Sequence, residues 1–176
     1  MFARTERLLL RPGWVEDAPA LAQAINREDI VLNLAHVPWP YSVADAESFL
    51  TNDRATGETN LLIFERTSAE PRLIGGIGLA RNAGQTILGY WITPSSWGKG
   101  FATEAGRAVI DIARETLRIG QLTARHFVDN PASGQVLRKL GFCATGEREP
   151  LFSKGRGTSS PGLSYTLDLN ALVLAA

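Results

Sequence analysis

Two glycines bracket a lysine at Gly98-Lys99-Gly100, between an apolar run and a long amphipathic one. Glycine lets the backbone turn sharply and has no Cβ to hold a ligand away. From Phe101 onward, Ala105, Ala108, Val109, Ile112, Ala113 and Leu117 recur at helical spacing, so a helix begins where the loop ends. The first N–H groups of a helix have no internal partners, a need usually met by Ser, Thr, Asp or Asn. Gly-Lys-Gly-Phe-Ala supplies no such side chain. The chemistry on offer is anion binding, by free amides, by the positive end of the helix dipole and by Lys99. Water capping and a solvated Lys99 are the competing readings. The order of apolar strand, glycine loop and amphipathic helix counts against water capping and leaves both readings open. The loop is not a standard nucleotide fingerprint. A P-loop needs four residues between its first glycine and Gly-Lys-Ser/Thr, and a dinucleotide fingerprint needs glycine where Thr103 stands.

Other reactive side chains are few. His36 lies in a loop with Pro38, Trp39, Pro40 and Tyr41, and His126 lies in a strand-like run. The single cysteine, Cys143, permits no internal disulfide and reads as a core or edge thiol rather than a nucleophile.

The elements that must hold these residues follow from periodicity. Arg7 to Pro12 reads as a strand and Glu16 to Arg27 as a helix; Ser42 caps a second helix running to Arg54. Strands follow at Asn60–Glu65, Leu73–Ala80 and Ile87–Ile92, the last two joined by a turn at Asn82–Gln85. Gly75, Gly76 and Gly78 weaken their strand and mark a bulge or close packing. After the Phe101 helix come a strand at Leu122–Val128 and a helix opened by Asn130-Pro131, a cap followed by proline. Strands at Phe142–Arg148 and Leu163–Leu169 close the series, with a flexible loop expected over Ser153–Gly162. The pattern is a mixed α/β sheet with helices on both faces.

The chain has 176 residues, enough for one domain over 1–176 and short for two. A chain this long buries roughly 70% of its unfolded surface and needs no staples. Lys plus Arg and Asp plus Glu balance at 18 each, which argues against a nucleic-acid surface. No apolar run is long enough for a membrane span, and no secretory signal core is seen. A cytoplasmic location is the expectation.

Gly89-Tyr-Trp-Ile followed by Trp97-Gly-Lys-Gly-Phe-Ala-Thr-Glu-Ala resembles the acetyl-CoA-binding segment of the GNAT N-acetyltransferases, and within them the RimJ/RimL-type branch. Gly98-x-Gly100 matches the glycine part of the family pattern, while Ser95 stands where Gln or Arg is usual. Asn130-Pro-Ala-Ser133 with Val136-Leu-Arg-Lys-Leu-Gly-Phe142 is similar to a second segment of that branch. Two ordered motifs are far more specific than either alone. The resemblance extends from Glu6 to about Leu169.

The resemblance implies a mostly antiparallel central sheet of about seven strands, splayed in the middle. It implies acetyl-CoA as co-substrate, no metal, and a primary amine as acceptor: a protein or peptide N-terminus or a small amine. It leaves a homodimer open. Trp97, Gly98, Lys99, Gly100, Phe101, Ala102 and Thr103 would hold the pyrophosphate. A backbone N–H near Ile92, on a strand that bulges and splays from Leu122–Val128, would polarise the thioester. Asn130 would bind the pantetheine arm and Ser133 would lie near the sulfur as proton donor; an N-cap and an exposed serine are the plain alternatives. Many relatives carry Glu where Ile87 stands, so no general base is evident. His36 is the candidate by its titration range, a solvated loop histidine being the alternative. Trp39 and Tyr41, with Phe152, are candidates to line the acceptor pocket. Glu104 reads as orienting structure. A non-catalytic acyl-CoA-binding or regulatory module is the rival reading, given Ile87.

Overall fold

The computed structural model describes residues 1–52 and 57–170. Eight strands form one sheet in the order β1-β2-β3-β4-β5-β6-β8-β7. They are β1 (Ala3–Arg4), β2 (Leu8–Arg11), β3 (Thr59–Glu65), β4 (Arg72–Asn82), β5 (Gln85–Ile92), β6 (Gln121–Phe127), β7 (Cys143–Ser153) and β8 (Thr158–Asp168). Every neighbouring pair is antiparallel except β5 with β6. The helices are α1 (Ala18–Ile25), α2 (Glu28–Val31), α3 (Val43–Thr51), α4 (Phe101–Asp111, continuing through a wide turn at Ile112–Thr116) and α5 (Pro131–Lys139). The two-residue β1 and the single turn of α2 are too short to show periodicity in sequence. The expected end of the α3 helix at Arg54 lies outside the described residues.

Strand alternation sorts side chains onto two faces. Leu61 and Ile63 of β3 join a core with Phe101, Ala105 and Val109 of α4 and Leu137 of α5. Leu62 and Phe64 join a second core with Leu21 and Ile25 of α1 and Ala46 of α3. Ser42 caps α3 as expected: Asp45 N–H donates to Ser42 Oγ at 3.2 Å, and Ser42 N–H donates to the Asp45 carboxylate at 2.9 Å.

The glycines of β4 serve close packing. A Cβ on Gly75 would strike the Trp91 carbonyl, and one on Gly76 would lie 2.6 Å from the Trp91 indole nitrogen. The register shifts beside them: Ile63 pairs Gly75 but Phe64 pairs Leu73, so Ile74 is the extra residue of a bulge.

Two expectations need correction. Against β4, β5 keeps an unbroken register from Gln85 to Ile92, so the bulge lies in β4 and not in β5. Residues 153–162 are not a flexible loop: β7 and β8 pair from Ser153↔Thr158 to Arg148↔Leu163 without a break, in a hairpin. Glycine, serine and proline suggested a loop there, but Pro150 faces Pro161 on an edge pair that tolerates missing donors.

Candidate active site

The glycine loop has its unusual backbone for a geometric reason. Gly98 and Gly100 have φ of 72° and 81°, in the left-handed region that side chains disfavour. Gly98 has open space where a Cβ would be, so conformation rather than room selects glycine. Gly100 is the N-cap of α4 and donates no side-chain cap, as the sequence implied. The first amides of α4 are thus left for a ligand or solvent. Trp97 is 51% exposed, and its indole Nε1 donates to the Ile92 carbonyl at 2.6 Å. Directly before it, Ser96 is buried and its Oγ has no hydrogen-bond partner.

Glu104 braces this loop from below. It accepts from the Thr5 hydroxyl at 2.5 Å, the Arg7 amide at 2.9 Å and Arg7 Nε at 2.7 Å. Arg7 in turn donates to the Lys99 carbonyl at 3.0 Å and lies over the Phe101 ring. Burial pushes the Glu104 carboxyl up, but these hydrogen bonds and the Arg7 charge outweigh it and hold it below the ordinary range. Glu104 is therefore an anion holding the chain's first strands to the loop.

The cleft begins where β5 and β6 part. Their one paired position is Ile87↔Thr123, where Thr123 Oγ1 donates to the Thr86 carbonyl at 3.3 Å. Beyond it the strands diverge, which is the splay expected from the resemblance. Thr93 N–H donates to Ile74 on the β4 side. Hydrogen-bonding direction alternates along a strand, so the amides of Tyr90 and Ile92 turn toward the departed β6. On the far side Asn130 caps α5, its Oδ1 accepting from Ser133 N–H at 3.3 Å.

Tyr90 crosses the gap. Its hydroxyl lies 2.8 Å from Ser133 Oγ and donates to the Ser133 carbonyl at 3.0 Å. Burial pushes the phenol up to about 12, against the lowering effect of its hydrogen bond to Ser133. It stays protonated at neutral pH. The sequence reading missed Tyr90 as a site residue. The signal available was alternation: Tyr90 shares a face with Leu88 and Ile92, toward α4 and α5.

The other candidates fall on the α2–α3 loop and the β7–β8 hairpin. His36 and Trp39 are exposed, as is Phe152. Tyr41 is a correction: its ring packs in the second core with Ile25, Ala46 and Phe64 rather than facing a pocket. Burial, and then the Asp45 charge, push its hydroxyl up to about 12. His126 is a satisfied sheet residue, with Nδ1 2.8 Å from the Phe127 carbonyl and Nε2 3.2 Å from Tyr165 Oη. Cys143 is exposed on the edge strand β7. Two carboxylates near this end of β6 and β7 are each held by an arginine: Asp129 by Arg156 at 2.7 Å and Glu149 by Arg125 at 3.1 Å.

Across the wedge between the parting strands, Tyr90 ties β5 to the start of α5, where Asn130 and Ser133 lie, while Ile92 and the Trp97–Thr103 loop follow on from β5 into α4. The uncapped start of α4 follows the Ile92–Trp97 turn, inside which the buried Ser96 hydroxyl is unsatisfied.

A family model described as an acetyltransferase (GNAT) domain matches residues 7–143, more than half of the chain. The chain belongs to the GNAT acetyltransferase family. It is 28% identical to the uncharacterized N-acetyltransferase YoaA of Bacillus subtilis, over 86% of this chain and 88% of that one. It is 30% identical to the ribosomal-protein-serine acetyltransferase of Escherichia coli, over 61% of this chain and 64% of that one, in keeping with the RimJ/RimL-type branch. In fold it matches the spermidine N-acetyltransferase of Vibrio cholerae, solved with CoA and spermine. That match has a TM-score of 0.78 at 20% identity over 96% of this chain and 99% of that one. Among the described residues no helix is long and apolar enough to cross a membrane.

Proposed function

We propose that this chain transfers an acetyl group from acetyl-CoA to a primary amine, by direct attack with both substrates bound. The observation that carries the reading is the wedge between β5 and β6, rimmed by the uncapped start of α4 and by Asn130 at the start of α5. Acetyl-CoA supplies an activated acetyl thioester; the protein supplies position and polarity.

The amides from Gly98 to Thr103 grip the diphosphate, the positive φ at Gly98 and Gly100 being what turns them outward. Lys99 adds charge from an exposed position. The Ile92 N–H, turned into the wedge, donates to the thioester oxygen; one such fixed donor is typically worth about 3 kcal/mol in the transition state. Asn130 keeps an amide NH2 group beyond its capping role, able to donate to the pantetheine arm. Ser133 stands near the departing sulfur. With the Tyr90 proton given to the Ser133 carbonyl, the Ser133 hydroxyl points its own proton at Tyr90 Oη, 2.8 Å away. It turns that proton to the thiolate as the sulfur leaves, and the proton lost by the acetylated nitrogen makes the hydroxyl whole again.

The acceptor amine must arrive neutral. An N-terminal amine has a pKa near 8 and is roughly a tenth neutral at pH 7, whereas a lysine is far less so. Ile87, and the arginines that neutralise Asp129 and Glu149, suit an acceptor that needs little help from a base. This favours a protein or peptide N-terminus over a lysine side chain. Trp39 and Phe152, both exposed, are suited to flank a cationic acceptor.

Ile87, together with the pairing of Asp129 and Glu149 to arginines, is the specific observation behind a second reading, a module that binds acyl-CoA without turnover. A thiol-release assay with acetyl-CoA, N-terminal peptides and polyamines separates the two. Turnover with a peptide amine supports transfer. Tight acetyl-CoA binding with no thiol release from any amine contradicts it.

A further inference from the structure

We propose that Arg156 is a positioning residue for acetyl transfer, clamping the acceptor-side loop to the turn that carries Asn130 and Ser133. The inference rests on the acyl-transfer reading above. Its starting point is the tip of the β7–β8 hairpin, which docks onto the segment after α2. Lys154 N–H donates to the Ala35 carbonyl at 2.9 Å, and the Ser153 hydroxyl, fully buried, donates to the Leu34 carbonyl at 2.9 Å. A Cβ on Gly155 would strike Val31, so the approach is close enough to require glycine.

Arg156 then spreads its guanidinium across three stretches of chain. Nε donates to the Leu32 carbonyl at 2.5 Å. Nη1 and Nη2 grip both oxygens of Asp129, at 2.7 and 3.0 Å. Nη1 also reaches Ser160 Oγ at 3.3 Å. The guanidinium carbon stands 4.2 Å from the centre of the Phe127 ring. The arginine side chain is only 15% exposed, although Asp129 is 62% exposed. An isolated surface ion pair holds little, but this one is two-pronged, stacked and anchored to a carbonyl as well. Lysine, a point charge on a flexible stem, cannot reproduce that fork.

What the clamp fastens is telling. Phe127 and Asp129 belong to the turn that leads into α5. Asn130 N–H donates to the Phe127 carbonyl at 2.9 Å, and Asn130 caps the helix at Ser133. Leu32, at the other end, opens the loop that carries His36 and Trp39. Arg156 therefore fixes the distance between the group nearest the sulfur and the wall against which an acceptor lies. Misplacing reacting groups by about 1 Å can cost as much as 100-fold in rate. The lowered pKa of Asp129, caused first by its hydrogen bond to Arg156, agrees with a pair that is kept made.

The test is steady-state kinetics of Arg156→Lys, Asp129→Asn and the double variant, using the best peptide amine from the thiol-release panel, with thermal unfolding measured alongside. Each single variant is expected to lower kcat by about 30-fold while leaving the KM for acetyl-CoA within about 3-fold. The double variant should be no worse than either single, because both break one contact. A kcat for Arg156→Lys within twofold of the parent overturns the proposal, as does a rate loss that merely follows the loss of folded protein. If the parent protein turns over no amine, the acyl-transfer reading fails on its own terms. The clamp is then read by NMR with coenzyme A as the probe. Coenzyme A should shift the Trp39 indole signal in the parent but not in Arg156→Lys, while the Gly98–Thr103 amides shift in both. No Trp39 response in the parent overturns the clamp.

Discussion

The β5 side of the wedge offers main chain, and the β6 side is held in place by side chains drawn from distant parts of the sequence. On the first, two left-handed glycines and an uncapped helix start present amides within seven consecutive residues, 97–103. On the second, Arg156 binds Leu32 across 124 residues of chain and Asp129 across 27. A main-chain site tolerates little change in backbone conformation but does not depend on which side chains surround it. A side-chain clamp has the opposite weakness. The difference suits the proposed pair of ligands: the side-chain wall, facing the proposed acceptor, is the one that can change without disturbing the other.

Variants on the two walls should therefore fail in different quantities. The largest effect is expected for Gly100→Val. A branched side chain at a φ of 81° is strained and turns the first amides of α4 away. Calorimetry should show coenzyme A affinity reduced about 100-fold, a loss of roughly 3 kcal/mol. Unchanged affinity would erase the main-chain half of the contrast.

Ser133→Ala comes next, and acts on rate alone. Its kcat should fall by about 30-fold, below the usual range for lost acid catalysis because a thiolate leaves fairly well unaided. Coenzyme A affinity measured by calorimetry should not move. A fall in affinity with kcat intact would make Ser133 part of the grip instead.

Tyr90→Phe removes one hydrogen-bonding hydroxyl from between the walls. A loss of about 1 kcal/mol, or roughly fivefold in kcat, is expected. Because burial pushes the Tyr90 phenol up to about 12, the parent's pH–rate profile should show no tyrosine limb below about pH 10. A limb near pH 9 that vanishes in Tyr90→Phe would contradict the buried bridge.

The smallest effect belongs to Glu104→Gln, which touches the brace rather than the ligand. Its folded-state pKa is depressed, so its stabilisation is present above the unfolded value near 4.3 and is lost as pH falls through the folded value. The parent's Tm should drop on acidification below about pH 5, and the variant should show a shallower drop. At pH 7 the variant should be less stable by about 1 kcal/mol, since the pair is partly exposed.

The same contrast governs what could be read from the residues in advance. Local rules gave the helix caps at Ser42 and Asn130, the glycine loop, and the order of the long elements. Each depends on neighbours a few positions away. The parting of β5 from β6 was reachable only through family resemblance, because no residue in either strand announces a missing partner. The glycines of β4 marked the strand that bulges, but not the residue: Ile74 is an ordinary β-former, and only the facing register makes it the extra one, while the bulge the resemblance implied on β5 is absent from its pairing with β4. The hairpin over 153–162 was misread because Ser153-Lys-Gly-Arg-Gly-Thr-Ser-Ser-Pro-Gly has loop composition. Its order comes from tertiary contacts with Val31, Leu32, Leu34 and Ala35, which no local window contains. Tyr41 went astray likewise, since a ring beside two prolines says nothing about which side of it the core will cover.

The central claim is that the wedge between β5 and β6 takes acetyl-CoA with its diphosphate on the start of α4. Backbone amide NMR during titration with coenzyme A tests it most directly. The account predicts the largest shifts at Gly98 to Thr103, with Ile92, Asn130 and Ser133 following along the arm. Saturable binding that left those amides in place, and moved signals elsewhere on the sheet instead, would contradict it.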